Sequence, residues 1–251
     1  MVYIEFLRAR RMLTWHVGII ALLTVVSLIF AHNVPITVNG DTHPFAPGTP
    51  FPLGPLSTIA MIVAAIYASS AATSLNRENQ TRDISWTKPI PRTRIALEFI
   101  AVDLAAIVIV FFVTLAAIAV ILWRLQLVPA LDDAFVSEIV LAVGVSVMWY
   151  GLIQVLTCMF GPGARSISGI LWPVAFVAMG LYSAPGLLGV AGHILDVINP
   201  LAYMSGFSTD ATGTHANSVW QMPSDERAAV TWLFALLFCG IAVALWPRKE
   251  A

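Results

Sequence analysis

Two carboxylates stand where membrane chemistry would need them. Glu98 and Asp103 open a run from 95 to 123 that is otherwise apolar. A charged group inside a lipid-facing run is costly, so each is a candidate intramembrane functional carboxylate. Glu98 lies one helical turn past Arg94 and can pair with it at i,i+4 near the membrane surface. Asp103 lies about two turns in and reads as the only carboxylate well inside an apolar run. Two roles are open to it: a structural pair with an interfacial arginine, or a direct part in ion conduction or coupling.

Other chemistry is thinly supplied. His16, His32, His43, His193 and His215 are scattered, with no H-x-x-x-H and no paired carboxylates at ligand spacing. His32 and His43 share a loop with Asp41, enough for an adventitious external metal site at most. Cys158 and Cys239 both fall in apolar runs and read as small buried hydrophobes. We therefore expect no catalytic residue, no resident metal and no directly bound cofactor. There is no G-x-x-x-x-G-K-[ST]. If ATP powers the protein, another chain hydrolyses it.

The elements that position these groups follow from composition. Of 251 residues 59% are hydrophobic and only 11% charged, against roughly a quarter charged in soluble domains. Mean hydropathy is +0.85. This is the profile of an all-α integral membrane protein, read as a single transmembrane domain over 1–251. The net charge of −1 and the lack of a basic patch away from the membrane flanks give no reason to expect a nucleic-acid partner.

Residues 1–16 mix apolar positions with Glu5, Arg8, Arg10 and Arg11, and read as an N-terminal interfacial helix. The order also resembles a secretory signal, but Ile29-Phe30-Ala31 makes a poor cleavage site. Six spans are expected, at about 17–31, 56–75, 95–123, 137–160, 166–182 and 228–246, each near the ~20 residues that a bilayer core demands. The stretch 32–55 has no Lys or Arg and six prolines, which makes it an external loop of polyproline character. Pro173 should bend the fifth span. Apolar character revives through 187–194, and the polar segment 196–226 is long enough for a short re-entrant or interfacial element. Trp15, Trp123 and Trp246 sit at span ends as interfacial anchors would.

Lys and Arg fix the direction. With both termini cytoplasmic, eleven of the thirteen basic residues fall on inner flanks, leaving Arg124 and Arg227 outside. Five of the eleven lie between spans two and three: Arg77, Arg82, Lys88, Arg92 and Arg94. Residues 78–86 can make about two helical turns before Pro89 and Pro91 stop them. A charge run that only fixes topology would not require Trp86 or Glu78. A short polar helix carrying one large aromatic is shaped to meet a cytoplasmic partner.

The order of parts resembles the type-2 permease family of ATP-binding-cassette (ABC) transporters, the bacterial exporter and drug-efflux type. The likeness rests on the basic segment before span one and on Glu78 followed by Pro89-Ile90-Pro91-Arg92 leading into span three. It rests also on the short turn ending at Arg165 between spans four and five, and on Asn199-Pro200-Leu201-x-Tyr203 between spans five and six. The resemblance implies a cytoplasmic coupling helix that docks on a separate ATPase subunit, with Glu78, Arg82, Trp86, Lys88, Pro89 and Arg92 in that role. It implies an elbow helix around Glu5, Arg8, Arg10 and Arg11. It implies a second permease copy (identical or a paralogue), contact with membrane lipid, Mg-ATP held by the partner, and residence in the inner (plasma) membrane. The competing expectation is a self-sufficient ion-coupled transporter or channel using Asp103.

Overall fold

The computed structural model describes residues 2–30, 48, 50–52, 56–72, 91–130, 135–160, 164–181, 186–203, 222 and 224–246. In chain order these form α1 (Val2–Phe30), β1 (Pro50–Pro52), α2 (Ser57–Ala71), α3 (Arg92–Arg124), β2 (Val128–Ala130), α4 (Phe135–Phe160), α5 (Ala164–Leu181), α6 (Leu187–Ile198), a 3-10 turn (Pro200–Tyr203) and α7 (Ser224–Leu245). Among the described residues four stretches are long and apolar enough to cross a membrane: Phe6–Phe30, Thr93–Arg124, Phe135–Phe160 and Asp225–Leu245. The chain is a multi-pass helical membrane protein. Ser57–Ala71, Ser166–Ala178 and Leu187–Ile198 are apolar but shorter.

The helix α4 is the axis of the bundle: 72% of its most apolar window is buried, against 6% for α1. Its small and polar residues set the neighbours. Ser146 Oγ donates to Met61 O (3.3 Å) and Thr157 Oγ1 to Ala72 O (3.5 Å), both across 85 residues, so α2 and α4 run parallel. The face that α2 turns inward is largely alanine, with Ala60, Ala64, Ala68 and Ala71 fully buried. Small residues allow this close approach, which matters in lipid because apolar burial there drives no association between helices.

On the other side α4 packs along α7. A Cβ at Gly144 would stand 3.0 Å from Trp232 Nε1, and one at Gly151 would stand 2.9 Å from Phe238 Cβ. The contacts advance together along both helices, so α7 too runs parallel to α4. The helix α5 returns beside α4, with the rings of Trp149 and Trp172 4.6 Å apart. Both indole N–H groups donate to Ser69 Oγ, at 2.7 and 3.2 Å, joining α2, α4 and α5 at one hydroxyl.

Several expectations meet the structure here. Four of the six expected spans coincide with helices long and apolar enough to cross a membrane, and those expected at 56–75 and 166–182 coincide with the shorter apolar stretches in α2 and α5. Residues 1–16 are not a separate element: α1 is continuous from Val2 to Phe30, because no proline and a single glycine, Gly18, lie in that stretch. Pro173 sits inside α5 without ending it. From the proline-rich loop, β1 pairs in parallel with β2, Phe51 opposite Pro129, and Gly48 N donates to Gln126 O at 2.8 Å. The loops after α1 and α3 therefore meet at one end of the bundle. Trp15 and Trp123 are exposed, as anchors would be, but Trp246 is buried against the core. The expected coupling helix lies outside the described residues.

If α4 and α7 are held this closely, Gly151→Ala lowers stability by about 1–3 kcal/mol through overpacking. Gly240→Ala, where nothing lies within 4 Å of an added Cβ, does not lower it, since alanine is the better helix former. Thermal melts of the two variants in detergent check the difference.

Candidate functional site

The site is built from three helices that lie far apart in sequence. Asp103, on α3, has no exposed surface. Its Oδ1 accepts from Arg8 Nη2 of α1 at 2.6 Å, and its Oδ2 accepts from the Tyr150 hydroxyl of α4 at 2.9 Å. One turn on, Gln154 Nε2 donates to that same hydroxyl at 2.8 Å. On α2, Tyr67 is buried next to this cluster, its ring edge-on to His16 of α1 with centroids 4.9 Å apart. His16 Nδ1 is itself 2.9 Å from Met12 O.

The chemistry is that of a clamp. A lone carboxylate in a dry interior is strongly disfavoured, and a guanidinium on one oxygen with a phenol on the other is what permits it. Arg8 retains only 13% of its side-chain exposure, so the attraction is weakly screened. Of the two roles open to Asp103, the pairing with an arginine of the basic N-terminal segment is the one the geometry displays. Glu98 does pair with Arg94, Nε to Oε1 at 3.1 Å, but the Arg94 side chain is 71% exposed. Such a surface pair contributes little.

The remaining predicted residues are placed less closely. Arg10 and Arg11 are exposed on α1. The backbones of Glu5 and Arg92 lie in α1 and α3, but their side chains are outside what the structure describes, as are Glu78, Arg82, Trp86, Lys88 and Pro89 altogether. The Asn199-Pro200-Leu201 stretch is a buried stapled turn. Asn199 Nδ2 donates to Ala175 O (2.9 Å), its Oδ1 accepts from Leu201 N (3.1 Å), and the Tyr203 hydroxyl donates to Val197 O (2.9 Å). Among the described residues no group of His, Cys, Asp and Glu could hold a metal ion.

Three residues escaped the sequence reading. Tyr150 and Gln154 carried a usable signal, a polar i,i+4 pair inside an apolar run. Asp196 corrects the expectation that Asp103 is the only carboxylate well inside an apolar run. It sits near the end of α6 with no exposed surface, and neither carboxylate oxygen has a hydrogen-bond partner among the described residues. Burial pushes its carboxyl up to about 6. Burial, and then the charge of Asp196, push the Tyr203 phenol up to about 12. The sequence signal was an Asp in Leu187–Ile198, a stretch apolar but for His193, hidden because the segment was read as polar from 196 onward. Comparison with family models, with curated proteins and with solved structures found no match to this chain.

Two outcomes follow. Removing one partner of the clamp, in Arg8→Met or Asp103→Leu, costs about 3–5 kcal/mol because it strands a buried charge, while the double variant recovers most of that loss. A thermal double-mutant cycle in detergent reads this. For Asp196 the folded value lies above the ordinary 3.8, so the ionised form penalises the fold above pH 6 and the penalty fades as pH falls toward 4. Asp196→Asn should raise the melting temperature above pH 6 and leave it unchanged below about pH 4, seen by melting across that range.

Proposed function

We propose that this chain is the transmembrane permease subunit of an ABC-type exporter, close in plan to the type-2 family. In this reading six helices cross the inner (plasma) membrane with both termini cytoplasmic. A second copy or a paralogue completes the pathway, and a separate ATPase subunit holding Mg-ATP supplies the energy. The segment between α2 and α3 is the coupling helix, with Glu78, Arg82, Trp86, Lys88, Pro89 and Arg92 facing the ATPase. The first turns of α1 form the elbow at the inner surface.

The observation that carries the reading is where the clamp sits relative to that segment. The helix α3 begins at Arg92 directly after Pro91. Asp103 follows about 16 Å along the helix axis, joined there to α1 and α4. A push on the segment before α3 is therefore delivered to three helices as one body, which is what alternating access driven from outside the membrane requires. The helix directions support the crossing number: α2, α4 and α7 run one way and α5 the other, as six alternating crossings would have it. The ion-coupled alternative needs Asp103 to exchange its partner for a cation. Both of its oxygens already hold donors, which weighs against that role.

The test is a tagged chain purified gently from its native membranes, beside a Trp86→Ala, Arg82→Glu double variant. The account expects a separate ATPase subunit with the parent chain, and its loss from the variant at equal membrane abundance. Gradient-driven flux by the chain alone, abolished by Asp103→Asn, would overturn it.

A further inference from the structure

After α5 the chain turns back into the bundle and stops partway. The helix α6 starts at Leu187, soon after α5 has ended at Leu181, and packs along it. Just past its end, Asn199 Nδ2 donates to Ala175 O at 2.9 Å, about 9 Å back from the end of α5. Ala175 lies one turn from Trp172, whose ring meets Trp149 near the middle of the 26-residue α4. The turn Pro200–Tyr203 therefore sits at about mid-height of the bundle, against α4 and α5, with Leu201 and Ala202 fully buried. Irregular backbone at such a depth is tolerated only inside protein. On its outer face α6 shows Leu187, Leu188, Val190 and Ile194, all exposed and apolar, which suits lipid and not water. This is a re-entrant half-helix, and its C-terminal end lies inside.

Asp196 stands in the last turn of that half-helix with no exposed surface. Neither of its carboxylate oxygens has a hydrogen-bond partner among the described residues. Nearby donors are directed elsewhere, Asn199 Nδ2 to Ala175 O and the Tyr203 hydroxyl to Val197 O. The helix end adds the partial negative charge of its last carbonyls, so burial and dipole both oppose an ionised group here. Tyr203 is the titratable group that faces Asp196 from the turn. The charged residue of α5 is Arg165, in its first turn, and that of α4 is Glu138, near its start. In α6 itself the other titratable residue is His193, three positions earlier. Among the described residues no group of His, Cys, Asp and Glu gathers here to supply the several ligands of a metal ion. One proton, by contrast, removes the charge outright.

We propose that Asp196 is a proton-binding site at the buried end of a re-entrant half-helix, and that its proton keeps the end of α6 and the Pro200–Tyr203 turn seated against α5. When the proton leaves for bulk water, the carboxylate that remains must be hydrated, and loosening the turn from Ala175 admits that water. The site stands on α4, α5 and α6 alone and holds whether or not an ATPase partner drives the chain.

Hydrogen–deuterium exchange of the full chain in detergent, normalised to intrinsic rates at about pH 5 and about pH 8, tests this. In the parent, protection of residues 195–203 should fall by at least about tenfold at the higher pH, the factor that one pKa unit between seated and loosened states carries. Residues 141–153 of α4 should keep theirs. Asp196→Asn, neutral throughout, should hold 195–203 protected at both values. Asp225→Asn, which removes an exposed acid at the start of α7, should follow the parent. A parent whose protection does not change with pH would overturn the site, as would the same fall in Asp196→Asn. So would full recovery at the higher pH on replacing a bulky organic cation with sodium or potassium, which would make this a metal-cation site.

Discussion

The contact between Arg8 and Asp103 is the constraint on which the arrangement of this bundle depends. Among the described hydrophobic side chains of α1 only Ala9 and Ile20 are buried. Apolar packing therefore does little to fix where α1 sits. In lipid it would do less still, since hydrocarbon solvates an apolar helix as well as another helix does. A charge pair at 2.6 Å in a dry site has no such indifference. Slide or rotate α1 by one residue and a carboxylate is left buried without its cation, at a cost of several kcal/mol. The pair thus sets register more than it adds stability. Tyr150 extends the same constraint from α3 to α4.

The rest of the bundle is held by a different means. Between α2, α4 and α7 the work is done by close approach: alanines along α2, and Gly144 and Gly151 along α4. Hydroxyl and indole hydrogen bonds back this up, Ser69 accepting from Trp149 and Trp172, and Trp232 donating to Val140 O at 3.0 Å. This gives a tightly packed central set of helices and a more exposed α1, held to it by one charge pair, the His16–Tyr67 ring contact and a few apolar side chains such as Ile20. Through Asp103 and Tyr150 that charge pair also ties α3 to α4, so a displacement of α3 reaches α1 and α4 together, the property that the proposed coupling uses.

Much of this was legible in the amino-acid sequence, and the reasons differ by residue. Long apolar runs declare helices because a bilayer leaves the backbone no other partner, so each expected span overlaps a helix, with α3, α4, α5 and α7 placed within a few residues at both ends and α1 starting fifteen residues earlier than expected. Glu98 and Arg94 are local, and i,i+4 spacing alone reveals such a pair. Asp103 announced itself by cost, but its partner could not be read, since 95 residues separate it from Arg8. Tyr150 was hidden for the same reason. The division at residue 16 was drawn from a change in composition, yet composition does not break a helix; only proline, glycine or a cap does, and none acts there. Trp246 was misread because an aromatic at a span end suits the interface and the core equally well. Asp196 was missed because the polar segment was taken to begin at that residue, which cut α6 short of its last turn.

The claim that one buried ion pair fixes α1 on the bundle is most directly tested by hydrogen–deuterium exchange along residues 6–16. Parent and Asp103→Leu chains would be compared in the same detergent. The account predicts that the substitution speeds exchange through this stretch of α1 while the centres of α4 and α7 stay protected. Unchanged protection of residues 6–16 in the substituted chain would contradict it, and would mean that packing alone holds the first helix in place.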